Sequence, residues 1–218
     1  MPALRVKICG IRSETDLYAA VDSGADAVGF LVGQHYVSED FITAEEAAYF
    51  VKQTPPHVST TFVTHENNPR EISKLVKRIS PNEIQLHGMP SIEQVLVVQR
   101  DLPVGVRLVV ACHVRKGTIE PDPAVFDAQA DAILLDSGFA AERQIGGTGI
   151  THDWNISAAY CRKAPLPVYL AGGLTPENVR TAIAEVRPAG VDVNSGVEDQ
   201  YGAKSPSACL DFVRKVKF

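Results

Sequence analysis

Short runs of consecutive apolar residues alternate along the whole chain with longer stretches whose apolar positions recur every three or four residues. The first pattern predicts buried strands and the second amphipathic helices. Strands are expected over Leu4–Cys9, Asp26–Val32, Val58–Val63, Glu83–Leu86, Val104–Ala111, Ala132–Asp136, Val168–Ala171 and Val191–Val193. Helices are expected over Ser13–Asp22, Thr43–Gln53, Pro69–Ile79, Ser91–Arg100, Asp153–Cys161, Thr175–Val186 and Pro206–Lys217, with a weak one near Pro123–Ala128. Ser13-x-x-Asp16 and Thr43-x-x-Glu46 fit the capping pattern in which a hydroxyl and an acid satisfy each other's orphan N–H groups. Strict alternation of this kind calls for a parallel sheet covered by helices. Eight such units point to closure as a (β/α)8 TIM barrel, α/β in class. No linker or composition shift divides the chain, so residues 1–218 are expected to form a single domain.

Size supports this reading, since 218 residues can bury one large core. A net charge of −5 leaves no general basic surface, which argues against a nucleic-acid partner. No apolar run approaches the length of a membrane span, and the N-terminus lacks signal-peptide architecture, so a cytoplasmic protein is expected. Four scattered cysteines, Cys9, Cys112, Cys161 and Cys209, show neither metal-finger spacing nor a disulfide framework. The composition leaves monomer and homodimer both open.

Candidate chemistry follows from the barrel rule that sites lie at the carboxyl ends of the strands. Two consecutive strand ends break at glycine where a helix should start: Leu170-Ala171-Gly172-Gly173-Leu174-Thr175-Pro176, then Val193-Asn194-Ser195-Gly196. Glycines let the backbone approach a ligand closely, and N–H groups at a helix start suit an anion. Gly172, Gly173, Asn194, Ser195 and Gly196 are thus candidates for a phosphate cradle, with Thr175 as the cap of the following helix and Pro176 in its first turn. Cys9 and Asp136 end two further strands. A thiolate can take a proton and a carboxylic acid can give one, provided that burial raises the acid's pKa and nearby positive dipoles lower the thiol's. Buried filler and a helix cap are the plainer alternatives. Lys7 or Arg107 is a possible positive charge at the mouth, and His87, ending strand four, is either a substrate neighbour or a structural histidine. His87, His113 and Asp136 can be assembled on paper as a metal site, but no HxxxH or HxH pattern supports one, and no cofactor is expected. No GxGxxG follows the first strand, which argues against dinucleotide binding.

Read in order, Lys7-Ile8-Cys9-Gly10-Ile11, Gly24-Ala25-Asp26-Ala27-Val28-Gly29-Phe30, Gln85-Leu86-His87-Gly88, Leu134-Leu135-Asp136, Gly146-Gly147-Thr148-Gly149 and Asp153-Trp154, with the two glycine turns, carry a resemblance. The chain resembles the phosphoribosylanthranilate isomerases of tryptophan biosynthesis from about residue 4 to 216. The resemblance implies a metal-free Amadori rearrangement of a small phosphoribosyl substrate. It assigns Asp136 as general acid at the ring oxygen and Cys9 as general base at C2. It also places His87 near the substrate and the 5'-phosphate on Gly172-Gly173 and Ser195-Gly196, with Gly147 in a loop over the mouth.

One segment departs from the family. An arginine that pairs with the anthranilate carboxylate is expected after strand two, and alignment on the following helix puts Asp40 there. A carboxylate would repel what a guanidinium binds bidentately. Three readings follow: a rearranged loop in which Arg12 or His35 takes over, the same chemistry on a different phosphoribosylamine, or a non-catalytic phosphosugar-binding barrel.

Overall fold

A computed structural model describes residues 4–33, 40–137 and 151–218. Eight parallel strands form the barrel: β1 (Arg5–Ile8), β2 (Ala27–Leu31), β3 (Ser59–Thr64), β4 (Glu83–Leu86), β5 (Arg107–Arg115), β7 (Ala132–Ser137), β8 (Val168–Leu170) and β9 (Gly190–Val193). Each pairs with the next in that order, and β1–β9 and β4–β5 complete the ring. A short β6 (Thr118–Glu120) folds back antiparallel on the end of β5. This is a (β/α)8 TIM barrel, as the alternation predicts.

The helices outside it are α1 (Glu14–Asp22), α2 (Ala44–Gln53), α3 (Pro69–Ile79), α4 (Ile92–Asp101), α5 (Trp154–Cys161), α6 (Val179–Val186) and α7 (Pro206–Lys217). Where a fifth barrel helix would lie, Pro123–Phe126 makes only a 3-10 turn. The caps act as read from sequence: Ser13 Oγ accepts from Asp16 N at 3.1 Å, and Thr43 and Glu46 form a reciprocal capping box. None of the helices among the described residues is long and apolar enough to cross a membrane.

Two boundaries differ from expectation. Regular helix begins at Val179 rather than Thr175; the Thr175 hydroxyl accepts from Glu177 N at 3.2 Å within a turn that leads into α6. Strand five starts at Arg107 and runs on to Arg115, because it pairs with β7 as far as Ser137 and then turns into β6. Lys116 and Gly117, both at positive φ, make that turn, the geometry that two-residue hairpins favour. The shift decides which end of the barrel Arg107 occupies. It lies opposite Glu83, at the amino end of β4, so it sits at the closed end and not at the mouth.

The main core lies between sheet and helices, with Phe30, Phe62, Phe126 and Phe212 fully buried. Inside the barrel the lining divides. Val109, Ala111, Ala132, Leu134 and Ala171, from β5, β7 and the end of β8, form an apolar cluster. Buried Lys7, Thr61, Glu83, Gln85 and Asp192 supply a polar half. Polar groups inside a barrel must find partners there, and these pairings shape the site.

Candidate active site

Cys9 follows β1, its N–H donating to Val193 O at 2.8 Å, so that it is fixed between β1 and β9 at the carboxyl end. Gly29 on β2 packs beside it: a Cβ there would lie 2.6 Å from Cys9 Sγ and 2.9 Å from Lys7 Cε. Only glycine leaves room for both side chains. Burial pushes the Cys9 thiol up to about 11, opposed by the charges of Lys7 and Lys204. Desolvation outweighs the neighbouring cations.

Asp136 lies near the end of β7, in register with His113 on β5. Its Oδ2 is 3.3 Å from His87 Nε2 and its Oδ1 accepts from Ser137 N at 2.6 Å. Burial by itself would raise its pKa, the effect expected from sequence. Hydrogen bonding and charge from His87, with help from His113 and Ser137, outweigh it and hold the carboxyl below its ordinary value. The balance favours the carboxylate form of Asp136.

His87, just after β4, is edge-on to two further rings, His65 at 5.0 Å and His113 at 5.1 Å between centroids. His113 is buried, and its Nε2 donates to the His87 carbonyl at 3.1 Å. A carbonyl only accepts, so this fixes the proton on Nε2 of His113. Burial first, and then His87, lowers its pKa to about 4 and keeps the ring neutral. His113 belongs to the site although sequence reasoning left it out of the substrate-binding set. Its signal was the period-two face Val109, Ala111, His113, hidden when the strand is ended at Ala111. His87, His113 and Asp136 bring possible ligand atoms within 4.8 Å of one another, a spacing that admits a metal ion.

The two glycine turns stand at the carboxyl ends of β8 and β9. Gly172 adopts φ 84°, and a Cβ there would fall 2.1 Å from Ser137 Oγ and 2.6 Å from Asp136 Oδ1. The first turn is thus pressed directly against the acid. A Cβ on Gly196 would meet Leu174 O at 1.9 Å, which holds the second turn against the first. Among the described residues, no acceptor is found for the N–H groups of Gly173, Ser195 and Gly196.

The side chain of Asn194 is engaged within the protein. Its Nδ2 donates to Asp40 Oδ2 at 2.9 Å, and its Oδ1 accepts from Lys204 Nζ. Lys204 is buried and also donates to Glu198 Oε1 at 2.6 Å. Nothing in its loop context marks this lysine in the sequence. Asp40 also lies 4.0 Å from Arg12 Nη1, while Arg12 donates to the Gly202 carbonyl. The acid at the place of the expected arginine is therefore partnered inside the protein.

Lys7 projects into the barrel. Its Nζ is 2.7 Å from both Asp192 Oδ2 and Gln85 Oε1. Arg107, the other candidate cation, pairs with Glu83 at the far end beside Arg5 and takes no part in the mouth. Gly147 and His35 lie outside the described residues.

Comparison with known proteins identifies the family and the fold. Residues 6–215 match the sequence profile of the family described as N-(5'-phosphoribosyl)anthranilate (PRA) isomerase. The chain is similar to an N-(5'-phosphoribosyl)anthranilate isomerase of Methanocella arvoryzae, 40% identical over 213 residues that cover 98% of each chain. Its fold is similar to the crystal structure of phosphoribosyl anthranilate isomerase from Thermotoga maritima, with a TM-score of 0.83, 34% identity and 98% of each chain covered. A further solved phosphoribosyl anthranilate isomerase holds reduced 1-(o-carboxyphenylamino)-1-deoxyribulose 5-phosphate; it matches with a TM-score of 0.81 and 33% identity over 98% of each chain.

Proposed function

Given that the chain belongs to the PRA isomerase family, we propose that it converts N-(5'-phosphoribosyl)anthranilate to the 1-deoxyribulose 5-phosphate aminoketose, with Asp136 as general acid and Cys9 as general base. The observation that carries this reading is the family match along nearly the whole chain, with Cys9 and Asp136 at the carboxyl ends of β1 and β7.

The chemistry follows from the two groups. Asp136, once protonated, gives its proton to the furanose ring oxygen as the C1–O bond breaks, and the aglycone nitrogen supplies the electron pair that forms the Schiff base. The Cys9 thiolate removes the C2 proton, giving an enolamine that tautomerises to the ketone. Neither step needs a metal, since one positioned acid and one positioned base suffice. The 5'-phosphate rests on the N–H groups of Gly173, Ser195 and Gly196, where backbone donors neutralise a dianion. Its bulk holds the sugar so that ring oxygen and C2 meet their partners, which is how binding energy remote from the reaction is used.

Asp40 bears on the rival substrate. A free carboxylate at the mouth would favour a neutral or cationic aglycone. Here its oxygens face Asn194 and Arg12, so the anthranilate carboxylate does not meet an uncompensated charge there.

The test is turnover of freshly generated phosphoribosylanthranilate, followed by the loss of its fluorescence. Turnover with a kcat/KM in the enzymic range supports the reading. A folded protein that binds ribose 5-phosphate and leaves phosphoribosylanthranilate untouched overturns it and shifts attention to phosphoribosylamines lacking a carboxylate. A second check is steric. Gly29→Ala must displace either Cys9 or Lys7, and displacing a reacting group by about 1 Å costs roughly 10²-fold. Steady-state kinetics of this variant should show that loss in kcat with the circular dichroism spectrum unchanged.

A further inference from the structure

Five side chains form one line across the barrel interior, hydrogen-bonded from Asp192 on β9 through Lys7 on β1 and Gln85 on β4 to His87, and ending on the ion-pair contact of His87 with Asp136 on β7. The successive separations are 2.7 Å, 2.7 Å, 3.0 Å and 3.3 Å. The chemistry of each group leaves the line only one polarity. Lys7 in its ion pair with Asp192 has donors and no acceptor, so the atom of Gln85 that meets it is the carbonyl oxygen. The amide NH2 of Gln85 must then face His87. An NH2 group only donates, so His87 Nδ1 is the unprotonated nitrogen and the ring proton sits on Nε2. That Nε2–H is on the side of Asp136, whose Oδ2 lies 3.3 Å away. Among the described residues, the His65 and His113 rings meet His87 edge-on, and His113 Nε2 is engaged with the His87 carbonyl.

From this line we infer that Gln85 is a positioning residue, set by Lys7, that locks His87 in its Nε2–H tautomer and so keeps a hydrogen-bond donor aimed at Asp136. The inference rests on the acid role given to Asp136 above and adds Gln85 and Lys7 behind it. Asp136 becomes a carboxylate in the act of protonating the ring oxygen, and a donor already in place stabilises that state without reorganisation. The other tautomer would point a lone pair at the carboxylate. The lock also disfavours a metal at His87, His113 and Asp136. A histidine that ligates through Nε2 carries its proton on Nδ1 and donates it outward, and here that proton would meet the Gln85 NH2.

The experiment reads the tautomer directly, by long-range proton–nitrogen correlation of the histidine-labelled protein near pH 8. The His87 signals are identified by their absence in His87→Ala. The wild type should show an unprotonated Nδ1 and a protonated Nε2. In Gln85→Glu a carboxylate replaces the NH2 and accepts from the ring, so Nδ1 should become protonated. Its kcat should fall roughly 10–100-fold, the factor that a lost charge-assisted hydrogen bond carries, with KM changed far less. A protonated Nδ1 in the wild type overturns the inference, whether or not the variant folds. So does a folded Gln85→Glu that keeps the wild-type ring signals. The tautomer is read without substrate, so a locked ring in a protein that does not turn over phosphoribosylanthranilate would overturn the reaction assigned above and leave the lock standing.

Discussion

Asp136→Asn should lower kcat for phosphoribosylanthranilate by about 10²–10⁴-fold, the range of a lost general acid, while the protein stays folded. Asparagine keeps the size of the side chain and one oxygen, which can replace either the Oδ1 that accepts from Ser137 N or the Oδ2 that faces His87 Nε2, but not both. What disappears is the transferable proton. Cys9→Ser should fall within the same range, because a serine hydroxyl ionises far less readily than a thiol. KM should change little in either variant, since the phosphate is held elsewhere, at the β8 and β9 turns. The measurement is steady-state kinetics with thermal melting of each variant. A kcat within about threefold of the wild type for a folded Asp136→Asn would remove Asp136 from the acid role.

The shifts of Cys9 and Asp136 sharpen this expectation. Cys9 is held as a thiol up to about 11 by burial, and Asp136 is held ionised by His87, His113 and Ser137 despite its burial. Acid and base thus start with each other's protons, and the reacting form is a minor one. The pH dependence of kcat/KM for such a pair is a broad plateau, its acid limb set by Asp136 and its alkaline limb by Cys9. A narrow bell near neutrality would require two closely spaced pKa values near 7.

How much of this was legible in the sequence depends on whether the deciding interaction is local. Helix starts at Ser13 and Thr43 were readable because a cap is made by residues three apart. The strand ends at Cys9, Asp136 and Gly172 were readable because glycine and the change of hydrophobic period mark them. The end of strand five was not. It is decided by pairing with β7 and by the Lys116-Gly117 turn, and misplacing it put Arg107 at the mouth and hid His113. The line from Lys7 to Gln85 joins residues 78 positions apart. No spacing rule finds such a pair until the barrel closes. The pKa directions were out of reach for the same reason, since each is a balance between burial and partners drawn from several strands.

The closed end of the barrel, where Arg107 in fact lies, gives the largest expected effect on stability. Glu83 is buried there, 2% exposed, and takes hydrogen bonds from Arg5 and Arg107, while Arg5 Nη1 also donates to the Tyr169 hydroxyl at 3.1 Å. A buried carboxylate is costly unless its oxygens are satisfied, and these two cations satisfy it. Removing it by Glu83→Ala leaves Arg5 as a largely desolvated cation and opens a gap in the lowest layer of the barrel. The expected cost is about 3 kcal/mol, the low end for a broken buried pair because Arg107 is half exposed and retains water. For a chain of this length that corresponds to a fall in Tm of roughly 6–12 °C. Burial works to raise the Glu83 pKa, but Arg5 and Arg107 outweigh it and hold it below the ordinary carboxylate value in the folded protein. A group with a depressed folded pKa contributes stability above its unfolded pKa and loses it as pH falls through the folded one. The gap in stability between wild type and Glu83→Ala should therefore be full at pH 7 and narrow on acidification below about pH 4. Urea denaturation of both proteins across that range measures it, and a gap that stays constant would assign the loss to packing alone. Phosphate binding at the far mouth should be unchanged in the variant at neutral pH, because the cost falls on the end of the barrel that holds no chemistry.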